Sequence, residues 1–137
     1  MIGKYDLHPR FFGKIREMPD GVATSRNSWP WRRRSVIGTV SRGAKAFYDQ
    51  AKQVYEPLVL EEELEIVNCQ GNVSLWEEHP LVHAHIPFAR ADGQTLSGHL
   101  IEGTVLFAGE LVLREFLGPD RLRRMDAVTG LNLWVYL

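Results

Sequence analysis

The chain has 137 residues, enough for one domain with a single hydrophobic core. Its composition, 45% hydrophobic and 24% charged, excludes a disordered chain, and no apolar run approaches the roughly 20 residues that a membrane span needs. The one cysteine, Cys69, excludes an internal disulfide and a thiolate metal cluster within one chain, and we expect a buried, inert thiol there. The N-terminus has no long apolar run typical of a secretory signal, so we expect a cytoplasmic protein without membrane contact.

The charge is unevenly distributed along the chain, although the net charge is only −1. Residues 1–55 carry 11 Lys/Arg and 4 Asp/Glu, whereas residues 56–137 carry 5 Lys/Arg and 13 Asp/Glu. A basic half can indicate nucleic-acid binding, but a near-neutral total gives little long-range attraction to phosphate. The simpler interpretation is that the two halves pair across the fold or between subunits, with Arg32–Arg34 of one subunit near Glu61–Glu63 of another.

The first 55 residues give mixed signals. Residues 1–35 are predicted as an irregular N-terminal segment packed on the domain, with a short helix at Phe11–Met18 that Pro19-Asp20-Gly21 would end. Val36–Val40 then has the composition of a strand. Within residues 44–55, apolar and aromatic side chains recur at helical spacing, which by itself predicts a helix. These side chains are Ala44, Phe47, Tyr48, Ala51, Val54 and Tyr55.

The second half of the chain has the pattern of β-structure. Gly71 indicates a turn between two short strands, and Gly109 indicates a bulge or a close backbone approach inside a long one. The whole pattern predicts an α+β fold, a mainly antiparallel β-sheet flanked by a few α-helices. The strands are predicted over Leu64–Val67, Asn72–Trp76, Leu81–Ile86, Gln94–Leu96, Thr104–Leu117 and Leu131–Leu137.

Three of the five histidines form a candidate metal site. His83 and His85 are two residues apart on a predicted strand, so both project from the same face. If Ala91-Asp92-Gly93 is a three-residue hairpin loop with Gly93 in the left-handed region, His99 lies opposite His85 on the next strand. Three imidazoles from adjacent strands would suit Zn²⁺ or another divalent ion, with a fourth position left for water or a ligand.

Two alternatives stay open for these histidines. A two-residue loop would shift the register by one residue and place His99 on the other face of the sheet. A His-x-His pair on a strand is also often only a half-exposed polar pair. Gly98, directly before His99, removes a side chain at a point where another group can approach closely, and this slightly favours a site.

The ordered series of motifs resembles the plant and prokaryote conserved domain (PPC, also written PCC). The resemblance extends from about Ile37 to Tyr136, roughly three quarters of the chain. The Arg-Gly-Arg-Pro core of an AT-hook is missing, so the chain resembles the stand-alone prokaryotic type. The matching segments are Leu64–Ser74, His83-Ala84-His85, Ala91-Asp92-Gly93, Ser97–Gly103, Phe107–Glu110, Arg124, Asp126 and Thr129-Gly130-Leu131.

The resemblance implies a single PPC-like domain over residues 36–137, with an antiparallel sheet, flanking helices and homotrimeric assembly. It implies that His83, His85 and His99 hold a divalent metal, with zinc as the expected ion. It also implies that Lys45–Tyr55 is extended, with Asp49-Gln50 near a turn, which replaces the helix indicated by spacing alone. Two features differ from the family pattern. Ser97 replaces the first glycine of the usual Gly-Gly-His-Leu motif, and residues 1–35 lack the usual helical N-terminal pattern.

The leading functional hypothesis is a homotrimeric metal-binding domain with a binding or regulatory role. No local motif for nucleophilic catalysis or phosphate binding is present. One alternative is a DNA-associated regulator, like the plant members of the family. The other alternative, which ranks ahead of DNA binding, is a metal-dependent enzyme that uses zinc-activated water. Glu102 and Glu110 are the only local candidates for its general base.

Overall fold

The computed structural model describes residues 31–116 and 121–135. These residues form eight β-strands, six of them in one antiparallel sheet and the last two in a separate hairpin. The strands are β1 (Trp31–Asp49), β2 (Val54–Leu60), β3 (Leu64–Trp76), β4 (His79–Ala89), β5 (Thr95–Leu100), β6 (Val105–Phe116), β7 (Arg123–Met125) and β8 (Asn132–Trp134).

The long strand β1 organises the sheet, because its two halves have different neighbours. Its first half lies between β3 and β6, and its second half lies between β2 and β5. Since β3 pairs with β4 and β4 with β5, the strands β1, β3, β4 and β5 form a closed ring. Closure removes the free edges of these four strands, whereas β6 pairs only with β1 in the described sheet.

The core fills the inside of this ring. On β4, Ala84, Ile86 and Phe88 are buried, and Phe88 is fully enclosed. The intervening residues His83 and His85 face outward, as the two-residue period of a strand requires. The core therefore fixes which face of β4 carries the histidines. Side chains from neighbouring strands complete the cluster, including Val36, Val40, Leu60, Leu64, Ile66, Cys69 and Leu100.

The prediction of α-helices flanking the sheet is wrong for the described residues, which contain strands and turns but no helix. In the segment with helical spacing, β1 continues to Asp49 and β2 begins at Val54, with a turn between them. Ala44 and Ala46 are buried while Phe47 is 64% exposed. The helical spacing therefore arose by mixing buried strand positions with exposed ones, and the extended hairpin implied by the family resemblance is confirmed. The short helix predicted at Phe11–Met18 lies outside the described residues.

Residues 31–116 and 121–135 include no helix long and apolar enough to cross a membrane.

The β1 strand begins at Trp31. The division of the chain at residue 35 stays a prediction, because residues 1–30 are not described.

Two glycine predictions had different outcomes. The turn expected at Gly71 is wrong, because Gly71 lies inside the continuous strand β3. A Cβ there would lie 2.4 Å from the carbonyl oxygen of His83, so the glycine is needed for close strand contact. The close approach expected at Gly109 is confirmed. Gly109 pairs with Gly38, where a Cβ would lie 2.6 Å from the Cα of Gly109.

Candidate metal centre

The hairpin between β4 and β5 has the register that the three-residue loop predicts. The backbone N–H of Gly93 donates to the carbonyl of Arg90, and the N–H of Arg90 donates to the carbonyl of Gln94. Gly93 has a φ of 85°, in the left-handed region that favours glycine. His85 is consequently paired with His99, and the alternative two-residue register is excluded.

The structure brings the three predicted histidines together on the outer face of the ring. Ring nitrogens of His83, His85 and His99, one from each side chain, all lie within 4.8 Å of one another. The ring centroids are 4.2 Å apart for His85 and His99, 5.1 Å for His83 and His99, and 5.2 Å for His83 and His85. Among the described residues, this group of metal-ligating side chains contains no carboxylate or thiolate. Three imidazoles form a donor set that fits Zn²⁺ with one coordination position left open.

The environment keeps two of these imidazoles neutral. Burial lowers the pKa of His83 to about 4, and the positive charge of Arg123 together with His99 and His85 acts in the same direction. Burial also lowers the pKa of His99 to about 4, assisted by His85 and opposed by a hydrogen bond with the backbone of Ala46. A neutral imidazole has a free lone pair, so both side chains are in the form that binds a metal at neutral pH.

A residue that the sequence did not assign to the site, Arg123, acts electrostatically on His83. Its guanidinium donates hydrogen bonds to Ser74 Oγ at 2.6 Å, to Asn72 Oδ1 at 3.0 Å and to the carbonyl oxygen of Asn132 at 2.7 Å. Asn72 is paired directly with His83 across β3 and β4. Arg123 belongs to the β7–β8 hairpin, whose place over the sheet depends on tertiary contacts such as the hydrogen bond from the N–H of Leu75 to the carbonyl of Arg121.

The two candidate carboxylates lie outside the histidine group. Glu110 is exposed on β6, where it pairs with Ile37, and β1 separates it from β3, β4 and β5. Glu102 is exposed in the turn after β5 and lines a cavity that also contacts His99. The participation of either carboxylate at a metal stays a prediction. Of the two, only Glu102 shares a cavity with one of the three histidines.

Other residues singled out in the sequence have defined positions. Glu61 and Glu62 pair within the chain, with Arg42 at 2.7 Å and Arg90 at 2.8 Å. Cys69 is buried, and burial raises its pKa to about 11, as expected for an inert thiol. The Asp126 carboxylate accepts hydrogen bonds from the backbone N–H and the hydroxyl of Thr129 in the turn between β7 and β8.

A closed antiparallel sheet with three clustered imidazoles on its outer face defines a small β-domain with a candidate metal centre. The family model of the Plants and Prokaryotes Conserved (PCC) domain matches residues 33–117. The match covers more than half of the chain, which therefore belongs to the PCC family, and the resemblance seen in the sequence is confirmed.

Solved structures of similar proteins share this fold. A metal-containing protein from Archaeoglobus fulgidus is 34% identical with a TM-score of 0.74, and the match covers 78% of this chain and 75% of that one. A plant- and prokaryote-conserved protein from Pyrococcus horikoshii is 30% identical with a TM-score of 0.73, covering 79% and 74%. A proposed DNA-binding protein from Bacteroides thetaiotaomicron is 26% identical with a TM-score of 0.72, covering 77% and 73%.

One curated relative is much longer than this chain. The bifunctional protein GlmU from a Synechococcus strain is 34% identical over 97 residues, which is 70% of this chain. The chain spans only 14% of that relative's length.

Proposed function

We propose that this protein is a homotrimeric PCC-domain protein that binds a divalent metal ion, with Zn²⁺ as the expected ion, through His83, His85 and His99. Its role is binding or regulation. The observation that carries the proposal is the convergence of three ring nitrogens within 4.8 Å on adjacent, rigidly paired strands. The similarity to a metal-containing protein from Archaeoglobus fulgidus supports it.

The strand geometry supports metal binding because it holds the ligands in place before an ion arrives. His83 and His85 lie on the outer face of β4, and the buried side chains on its inner face set that orientation. Ligands on paired strands lose little conformational freedom on binding, which favours affinity. Zn²⁺ prefers neutral imidazole nitrogen and accepts three protein ligands with an open fourth position. A bound Zn²⁺ would act as a Lewis acid at that open position.

The trimer is supported by β6, which pairs only with β1 in the described sheet. This strand also exposes large apolar side chains, with Phe107 80% and Val112 59% exposed. A long unpaired edge with exposed apolar groups is usually covered by association. A second copy of the chain would provide that cover.

Elemental analysis of protein purified without a histidine tag tests the metal site. We expect about one zinc per chain for the wild type and loss of most of it for His83→Ala, His85→Ala or His99→Ala. His79→Ala is the matched control, because His79 lies exposed at the start of the same strand and outside the cluster. A wild type that takes up no divalent ion, or a His99→Ala protein with full stoichiometry, would refute the proposed function.

A second candidate function, binding to DNA, is favoured by an arginine pair on the sheet. Arg33 on β1 and Arg114 on β6 are directly opposite each other and exposed. Like charges in this arrangement destabilise a sheet, and a bound phosphate would relieve the repulsion. The similarity to a proposed DNA-binding protein from Bacteroides thetaiotaomicron agrees with this candidate.

Salt dependence of DNA binding tests the second candidate. The double variant Arg33→Gln/Arg114→Gln should bind duplex DNA more weakly, with a logarithmic salt slope reduced by about 2, since each phosphate contact contributes roughly 0.9. Arg124→Gln, an exposed arginine on β7, is the control. Unchanged retention of DNA by the double variant would eliminate this role for the pair.

A further inference from the structure

A cavity of about 550 Å³ lies beside the histidine cluster. His99 forms part of its wall, and the ring of Tyr55 meets the His99 ring edge-on with a centroid distance of 4.9 Å. The other walls come from the β1–β2 hairpin and from the β7–β8 hairpin, so the cavity forms where these two hairpins meet. Its volume falls within the range of about 300–1,000 Å³ typical of small-molecule sites.

Specific contacts hold the two hairpins around this cavity. The hydroxyl of Tyr48 donates to the carbonyl oxygen of Thr129, and Nε2 of Gln53 donates to the carbonyl oxygen of Val128 at 2.9 Å. At Gly130, a Cβ would lie 2.9 Å from the Tyr48 hydroxyl oxygen and 3.1 Å from Gln53 Oε1. The loop therefore fits closely against the β1–β2 hairpin, and the cavity wall is formed by direct contacts.

The lining of the cavity is mainly aromatic and aliphatic away from His99. The ring of Tyr48 packs against that of Tyr55 with a centroid distance of 4.8 Å and an angle of 55° between the ring planes, so the two rings form an angled aromatic wall. Apolar side chains of Val54, Pro57 and Leu131 line the cavity as well. A flat aromatic group can lie against one ring and meet the other at an angle, so it gains both by burial and by contact with the aromatic rings.

The charge at the histidine end is positive. Imidazole ligands carry no charge when they bind a metal through the lone pair, so the charge of a divalent ion held by these three side chains is uncompensated. The positive charge of the Arg123 guanidinium also acts on His83. An anionic group is therefore favoured at the open coordination position. Glu102 lines the same cavity and is exposed, so it would repel a second negative charge on a ligand. One negative charge matches this arrangement best.

We propose that the cavity binds a small monocarboxylate with a flat apolar body, the carboxylate lying at the metal held by His83, His85 and His99 and the body lying on Tyr48 and Tyr55. This inference rests on the proposed metal site and adds the chemical class of its ligand. The carboxylate oxygen supplies the remaining metal ligand, and Tyr55 positions the apolar body next to His99.

Isothermal titration of the zinc-loaded protein with 2-naphthoate tests the inference. The comparison ligands are acetate, which lacks the flat body, and 2-naphthalenemethanol, which lacks the charge. We expect 2-naphthoate to bind at least tenfold more tightly than either, which corresponds to about 1.4 kcal/mol. In the cobalt-substituted protein, 2-naphthoate should also change the visible absorption of the ion, because it enters the coordination sphere.

Two tryptophan variants in one strand test whether the cavity is the binding place. Val54→Trp fills the cavity from its wall and should weaken 2-naphthoate binding at least tenfold, with unchanged zinc content. Val59→Trp is the matched control, because Val59 is similarly exposed on β2, at 42% against 46% for Val54, but does not line the cavity. It should bind like the wild type.

The possible failures are distinguishable. Absence of zinc before any ligand is added refutes the metal site, and the inference with it. Zinc-loaded protein that binds acetate or 2-naphthalenemethanol as tightly as 2-naphthoate refutes the inference alone. Wild-type affinity in Val54→Trp also refutes it and leaves the metal site intact.

Discussion

The metal-free protein should lose stability as the pH falls from 6.5 towards 4, because His83 and His99 resist protonation in the fold. Burial lowers the pKa of both side chains to about 4, whereas histidine in an unfolded chain keeps a pKa of about 6.5. Between these values the unfolded chain binds more protons, so protonation favours unfolding. The stabilisation is fully present above pH 6.5 and is lost by about pH 4.

The magnitude follows from the two pKa values. At pH 5.5 the full shift would reduce the free energy of unfolding by about 1.4 kcal/mol for each histidine. Both side chains are only partly buried, so solvent screening reduces this to roughly 0.7 kcal/mol each, or about 1.4 kcal/mol for the pair. Hydrogen bonds from Lys52 and Thr129 hold the pKa values of Asp49 and Asp126 below 3.8, so these carboxylates titrate outside the window.

Urea unfolding in EDTA, followed by tryptophan fluorescence, measures this effect. Protein concentration must be constant, because association would add to the apparent stability. Between pH 7.5 and pH 5.5 we expect the wild type and the control His79→Gln to lose about 1.4 kcal/mol. The double variant His83→Gln/His99→Gln should lose less than about 0.5 kcal/mol. An equal loss in the double variant would refute the assignment of the pH dependence to these histidines.

Three further predictions concern the strand contacts, the thiol and the assembly. Gly71→Ala should displace His83 and reduce zinc uptake, because the added Cβ would lie 2.4 Å from the carbonyl oxygen of His83; normal uptake would contradict this, and the control His79→Ala, at an exposed position outside the cluster, should keep its zinc. Cys69 should react with a thiol reagent only after unfolding, because the side chain is buried and burial raises its pKa to about 11; rapid reaction of the native protein would argue against an inert thiol. Light scattering should give three times the 15.7 kDa of one chain, and a mass of 15.7 kDa would refute the trimer.

The sequence contained enough local information to predict the pairing of His85 with His99. Hairpin register depends on loop length and on one glycine with positive φ, both of which are local properties. Ala91-Asp92-Gly93 provides the loop and Gly93 adopts the required φ of 85°. The family could also be predicted from the sequence, because its motifs are specific when they occur together in this order.

Helical spacing misled the prediction for residues 44–55. Apolar residues at helical spacing indicate a helix when they all lie on one buried face of it. Phe47 and Val54 are instead exposed in a hairpin, so they contributed to the pattern by coincidence. Gly71 was misleading for a related reason. A glycine can mark a turn or a close approach between strands, and only the pairing of β3 with β4 distinguishes the two.

The sequence by itself determined the three histidines, their common strand face and the hairpin that pairs two of them. Only the tertiary structure decided that β1 closes the ring, that the charge of Arg123 acts on His83 and that a cavity adjoins His99. The physical reason is the separation along the chain over which each interaction acts. Side-chain alternation and turn geometry act over a few residues, whereas Arg123 is 51 residues from its partner Asn72 and is placed by packing of a separate hairpin on the sheet.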